Sequence, residues 1–248
     1  MRERYKAKQP RSWMMRFHSQ TAGVTLTAQQ PLNNIVRVAY QALAAVLGGT
    51  QSLHTNSLDE TLALPTEQSV QVALRTQQIL ALETGVAEVI DPLGGSYYIE
   101  ALTDQLEREA EALFAEIASI GGVVRGIESG WFQRQIAQSA AAFQRQVELG
   151  EKVIVGVNEF LSEDDHPVEI LKVSNDAEDE QRRRLVRLRA ERDNALVERR
   201  LDALRQAAES DHNVIGPMLD CARAYATLYE IRHALERVWG AYREPVFF

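Results

Sequence analysis

Two short polar stretches hold the residue types that could do chemistry. The first is Arg16-Phe17-His18-Ser19-Gln20-Thr21-Ala22-Gly23. The second, about one helix later, is Thr50-Gln51-Ser52-Leu53-His54-Thr55-Asn56, closed by Asp59-Glu60. Imidazoles, carboxamides and a carboxylate can orient a polar ligand and exchange hydrogen bonds with it. The lone histidines His18 and His54 read either as satisfied polar residues or as ligand contacts, and Glu60 either caps the local backbone or holds a ligand hydroxyl. The generic catalytic motifs are absent: the sequence has no Gly-rich phosphate loop, GxSxG, HExxH or CxxC.

Both stretches must be positioned by something, and their surroundings suggest what. Each follows apolar or small residues, and a helix-length segment separates them. Strand, helix, strand with polar strand ends is the pattern of a β/α barrel, whose active site lies at the C-terminal ends of its strands. The reading places a strand over about 13–20, a loop over 21–30 and a helix from Pro31 to Gly48-Gly49. A second strand follows over about 50–55, and Pro65-Thr66 opens a helix closed by Gly85.

Beyond these units, Asp91 to Tyr98 reads as a turn-rich loop. Thr103 caps a helix ended by Gly121-Gly122, another helix spans Trp131 to Leu149, and Val153 to Val157 reads as a buried strand. Glu163 to Pro167 is a charged loop. A charged helical stretch covers 176–209, a last helix starts at Gly216-Pro217, and an aromatic tail ends in Val246-Phe247-Phe248. Arg2 to Lys8 reads as the last turn of a helix stopped by Pro10. Two strand–helix pairs cannot close an eight-stranded barrel. The fold class is therefore α/β: a partial TIM-type (β/α) barrel over 1–160, then a mostly helical extension over 161–248.

Composition narrows the function. The chain has 248 residues, 45% hydrophobic and 25% charged, which is ordinary for a globular protein. A net charge of -8 argues against nonspecific nucleic-acid binding. No apolar run is long enough for a membrane span, and the basic start lacks the apolar segment of a secretory signal. The single cysteine, Cys221, excludes an internal disulfide and a cysteine-based zinc cluster. A reduced, cytoplasmic protein is expected.

Long ordered blocks carry a family resemblance: MRFHSQTAGVTLTAQQPLNNIVR, ALAAVLGGTQSLHTNSLDETLALPTEQS, IDPLGGSYYIE, IGGVVRGIESG and VIVGVNEF. They are similar to the large subunit of the methylmalonyl-CoA mutase family, the adenosylcobalamin-dependent acyl-CoA mutases, over nearly the whole chain. The resemblance implies the last part of a barrel that binds acyl-CoA along its axis, with a cobalamin-binding domain or subunit over the strand ends. On it, Gln20, Gly23, Glu60 and Ala63 fall where the family contacts its cofactor, Glu60 suiting a ribose hydroxyl. His18 and Gln51 fall along the acyl-CoA path. The implied reaction is a radical carbon-skeleton isomerisation.

The departures are equally informative. The family's earlier strands, its substrate tyrosine and histidine, its CoA-gripping segment and its DxHxxG cobalt-ligand motif are missing. Asp164-Asp165-His166-Pro167-Val168-Glu169 keeps the Asp and His spacing but has Glu where that motif needs Gly. No catalytic residue or metal ligand is assigned. The expected partners are the acyl-CoA substrate, the front half of the barrel and a cobalamin-binding subunit or domain. Alone, the chain is expected to be inactive and to associate or fold loosely. The competing reading is a non-catalytic interaction module, or a gene remnant, that docks to mutase partners.

Overall fold

A computed structural model describes residues 1–162 and 168–243. The charged loop at 163–167, with its Asp164 and His166, and the tail at 244–248 lie outside the described residues. The chain divides into two compact units, Met1–Lys172 and Val173–Phe248.

In the first unit, β1 (His18–Gln20), α1 (Asn33–Leu47), β2 (Ser52–His54) and α2 (Glu67–Glu83) follow in order. The two strands pair in parallel, and α1 is the crossover such a pair requires. Helix α1 buries Asn34, Val38 and Ala42, one residue per turn on a single face. Helix α2 does the same with Ser69, Ala73, Thr76 and Leu80, and Thr66 caps it by accepting from the Ser69 N–H. Three helices complete the unit: α3 (Tyr97–Ser119), α4 (Val123–Glu128) and α5 (Trp131–Glu148). The architecture is α/β and mostly helical, with one small parallel sheet among the described residues.

Several expectations change. The first strand is shorter than expected, because Pro10–Trp13 forms a 3-10 turn and only His18–Gln20 is paired. Arg2 to Lys8 forms turns rather than a helix end, and the Trp13 indole folds back to donate to the Ala7 carbonyl at 2.7 Å. Tyr97-Tyr98 opens α3 rather than lying in a loop. Ser96 is its cap, accepting from the Ile99 N–H, while Thr103 bonds back to the Ile99 carbonyl inside the helix. Val153 to Val157 is a turn with a single bridge, Val155 to Glu159, and both Val153 and Val155 are exposed. Asn158 organises it, accepting from the Ile154 N–H at 2.7 Å and donating to the Val147 and Lys152 carbonyls. Arg37 of α1 holds the turn by donating to the Val155 carbonyl at 2.8 Å.

The second unit contains α6 (Asn175–Glu191), α7 (Asn194–Ala208), α8 (Ile215–Arg223) and α9 (Leu228–Trp239). Its core is Val197, Leu201, Leu204, Cys221, Ala224 and Ala234. The single charged helix expected over 176–209 is two helices, because Asp193 caps a new one by accepting from the Leu196 N–H. The last helix is also two. Tyr225 adopts a left-handed conformation (φ 63°), and Thr227 with Glu230 forms a reciprocal capping box that starts α9. Among the described residues no helix is long and apolar enough to cross a membrane.

Candidate functional site

The sheet register sets His18 opposite Ser52, Ser19 opposite Leu53 and Gln20 opposite His54. Side chains alternate along a strand, so His18, Gln20, Ser52 and His54 share one face. All four are exposed, while Ser19 and Leu53 on the other face are half-buried. Helix α2 packs on that second face: Gln77 donates to the Leu53 carbonyl at 3.2 Å and to the Thr55 hydroxyl at 2.9 Å, and Thr55 donates to the Ala73 carbonyl at 2.8 Å. Parallel sheets are normally covered on both faces. Here the polar face is bare, its strands joined across it by His18 Nδ1 and Ser52 Oγ at 2.6 Å.

Past the strand ends the two loops are tied to each other. The Thr21 N–H donates to the His54 carbonyl at 3.1 Å, and the Asn56 N–H donates to the Thr21 hydroxyl at 2.9 Å. Gln20 Nε2 donates to Asn56 Oδ1 at 3.0 Å. Asn34, fully buried at the start of α1, donates to the Leu58 carbonyl at 2.8 Å and the Thr27 carbonyl at 2.9 Å, clamping both loops to the helix.

The second loop turns on Asp59, which is 1% exposed. Its carbonyl accepts from the Leu62 and Ala63 N–H groups, and its Oδ2 accepts from the Thr66 N–H at 3.1 Å. Glu60 is thereby presented at the surface and Ala63 is fixed beside it. Gly23 faces the same place, since a Cβ there would lie 3.0 Å from both Asn56 Nδ2 and Glu60 Oε1. Asn56 Nδ2 and Asp59 Oδ1 are buried without a hydrogen-bond partner. A buried polar group left unpaired costs about 1–3 kcal/mol, and this loop carries two of them.

The structure therefore brings Gln20, Gly23 and Glu60 together through Asn56, with Ala63 joined through Asp59. His18 lies one turn of the pleat below Gln20 on the same open face. Gln51 stands apart, at the entrance of β2. Its Oε1 accepts from the Phe17 N–H at 2.9 Å and its Nε2 donates to the Gly49 carbonyl at 2.6 Å, so both ends of the side chain bridge backbone. Sequence reasoning gave no role to Asn34, nor to Asn56 and Asp59, although both of the latter stand in the second polar stretch. The signal for two of them was the Asn-Ser-Leu-Asp run after a strand, the composition of a self-bonding turn. The set can bind hydroxyl and amide groups. Among the described residues no cluster of three or more His, Cys, Asp or Glu groups could hold a metal ion.

The sequence model of the family described as methylmalonyl-CoA mutase matches residues 1–241. The chain belongs to the methylmalonyl-CoA mutase family. The 2-hydroxyisobutanoyl-CoA mutase large subunit of Aquincola tertiaricarbonis is 47% identical over 250 residues, covering 100% of this chain and 44% of that protein. The methylmalonyl-CoA mutase of Cereibacter sphaeroides is 47% identical over 240 residues, covering 96% of this chain and 34% of the relative. That of Escherichia coli K12 is 43% identical, with coverage of 96% and 34%. This mutase-family chain thus spans between a third and under half of the relatives' length.

Proposed function

We propose that this chain is the closing portion of the β/α barrel of an adenosylcobalamin-dependent acyl-CoA mutase, followed by that subunit's helical extension. In this reading it works only with the front half of the barrel and a cobalamin-binding subunit or domain. The supporting observation is the bare polar face of the β1–β2 sheet, which ends in the Gly23–Asn56–Glu60 cradle.

The residues present fit the cofactor. A carboxylate accepts hydrogen bonds from ribose hydroxyls, and the unpartnered Asn56 Nδ2 offers a donor beside it. The missing side chain at Gly23 lets Asn56 and Glu60 close in on the backbone there, while Gln20 offers an exposed carboxamide to the amide-rich corrin edge. When bound, the cofactor supplies the radical that carries the isomerisation. This chain's part is to hold the cofactor by Gln20, Gly23, Glu60 and Ala63, to contact acyl-CoA through His18 and Gln51, and to help keep water out of a closed barrel. A cytoplasmic setting belongs to the same proposal.

The test is co-expression with the part of the Aquincola tertiaricarbonis large subunit outside the match, plus a cobalamin-binding subunit. Isomerisation of methylmalonyl-CoA, isobutyryl-CoA and 2-hydroxyisobutyryl-CoA is then assayed. Turnover of one substrate by the full assembly, and none by the chain alone, is expected. Failure to assemble, or an assembly that turns over none of the three, overturns the proposal.

A further inference from the structure

Helix α3 is the longest described helix, 23 residues, and it buries none of them. A helix of this length in water draws most of its stability from packing one amphipathic face. Helix α3 has such a face. Ile99, Leu102, Leu106, Leu113 and Ile117 recur at helical spacing and form one stripe. Leu106 is 57% exposed and Leu113 49%, and Phe114 beside them is 62% exposed. A contiguous apolar stripe left in water marks an interaction surface.

The charges around the stripe limit what can cover it. Helix α3 carries six carboxylates, Glu100, Asp104, Glu107, Glu109, Glu111 and Glu116, against one cation, Arg108. At 100° per residue, Glu107 borders one side of the stripe, Glu109 and Glu116 border the other, and Arg108 falls on the far face. Two copies of α3 packed together would set carboxylate against carboxylate. An anionic membrane surface or a nucleic acid is repelled for the same reason. The complementary occupant is an apolar ridge bordered by Lys or Arg. The relatives' own length supplies a source, because more than half of each of these two proteins lies outside the matched region.

We propose that the α3 stripe is the docking surface for the remaining part of the mutase large subunit, which covers it with a basic-flanked apolar ridge. The inference rests on the mutase reading given above and adds to it a second contact surface, on α3. The stripe and the open sheet face then act together to hold the front half.

The experiment uses the intact 248-residue chain and the portion of the Aquincola tertiaricarbonis large subunit outside the match. Binding is measured by calorimetry for the wild type, for Leu106→Asp/Leu113→Asp and for Glu107→Gln/Glu109→Gln/Glu116→Gln. Both leucines are already exposed, so the chain's own melting temperature is expected to stay unchanged. Binding should weaken at least about 30-fold for the aspartate pair, as for central interface residues. The glutamine triple variant should flatten the salt dependence of binding. Wild-type affinity in the aspartate variant would overturn this inference and leave the mutase reading standing. Failure of the wild-type chain to bind the portion would overturn both. Self-association of the chain that the aspartate pair abolishes would identify a second copy as the occupant and overturn the proposal.

Discussion

Replacing Glu230 by Gln should destabilise the second unit and remove most of its acid sensitivity. Arg192 and Glu230 form a two-pronged ion pair, Nη1 to Oε2 and Nη2 to Oε1, both at 2.7 Å. The Arg192 side chain is only 7% exposed and the Glu230 side chain 21%. Arg192 also donates to the Tyr225 carbonyl at 2.8 Å, and Glu230 accepts from the Thr227 N–H at 2.7 Å. One pair thus joins the α6–α7 break to the α8–α9 break. The hydrogen bond from Arg192, aided by those from Thr227, lowers the Glu230 pKa from 4.5 to about 2. A carboxylate with a depressed pKa adds stability that is present above its unfolded value, near 4.5, and lost as pH falls toward about 2. A shift of that size corresponds to roughly 3 kcal/mol in full, and about 2 kcal/mol once the carboxylate's access to water is allowed for. At pH 7 the Gln variant leaves a buried guanidinium without its counter-charge, at a cost of about 3 kcal/mol. The assay is urea unfolding followed by the fluorescence of Trp239, whose indole donates to the Ala208 carbonyl within this unit. Trp13 and Trp131 are replaced by Phe in the background so that only this unit reports. A loss under about 0.5 kcal/mol at pH 7, with the wild-type decline between pH 4.5 and 2.5 retained, would refute the reasoning.

Two further outcomes follow from packing. Leu204 is fully buried in the α7–α8–α9 core, so Leu204→Ala should cost about 2–5 kcal/mol in the same urea titration. Gly126 in α4 lies under the Phe132 ring, and an added Cβ would come within 2.6 Å of it. Gly126→Ala should therefore cost about 1–3 kcal/mol and disturb the Trp131–Phe132 edge contact, read in the near-ultraviolet circular dichroism of Trp131.

The parallel strand–helix–strand unit of the site was legible because two separate signals agreed. Polar strand ends at His18–Gln20 and Ser52–His54 fell either side of a helix whose apolar residues kept a 3.6-residue period. The misread segments each had one signal only. The apolar run Val153 to Val157 fits a strand by hydrophobicity alone, but Gly156 (φ 79°) and the Asn158 side chain make it a turn. The breaks at Asp193 and Thr227 were written in the sequence as capping residues, and helical periodicity running through both concealed them. Asn56 and Asp59 stood in the second polar stretch, but their part in the site was not readable there. Their importance lies in being buried with an atom left unpaired, a property of three-dimensional surroundings that residue type does not carry. Gln51 and Gln20 look alike in sequence, yet the fold commits one to bridging backbone and leaves the other on the open face.

The account stands on Glu60 reaching the adenosyl part of a cofactor held at these strand ends. The most direct measurement compares the affinity of the assembled complex for adenosylcobalamin and for hydroxocobalamin, in the wild type and in Glu60→Gln. Glu60 is exposed, so its replacement is expected to leave the fold unchanged. A selective loss of about tenfold for adenosylcobalamin, with hydroxocobalamin binding as before, is the expected result for one lost charged hydrogen bond. Equal affinity of the variant and the wild type for adenosylcobalamin would contradict it.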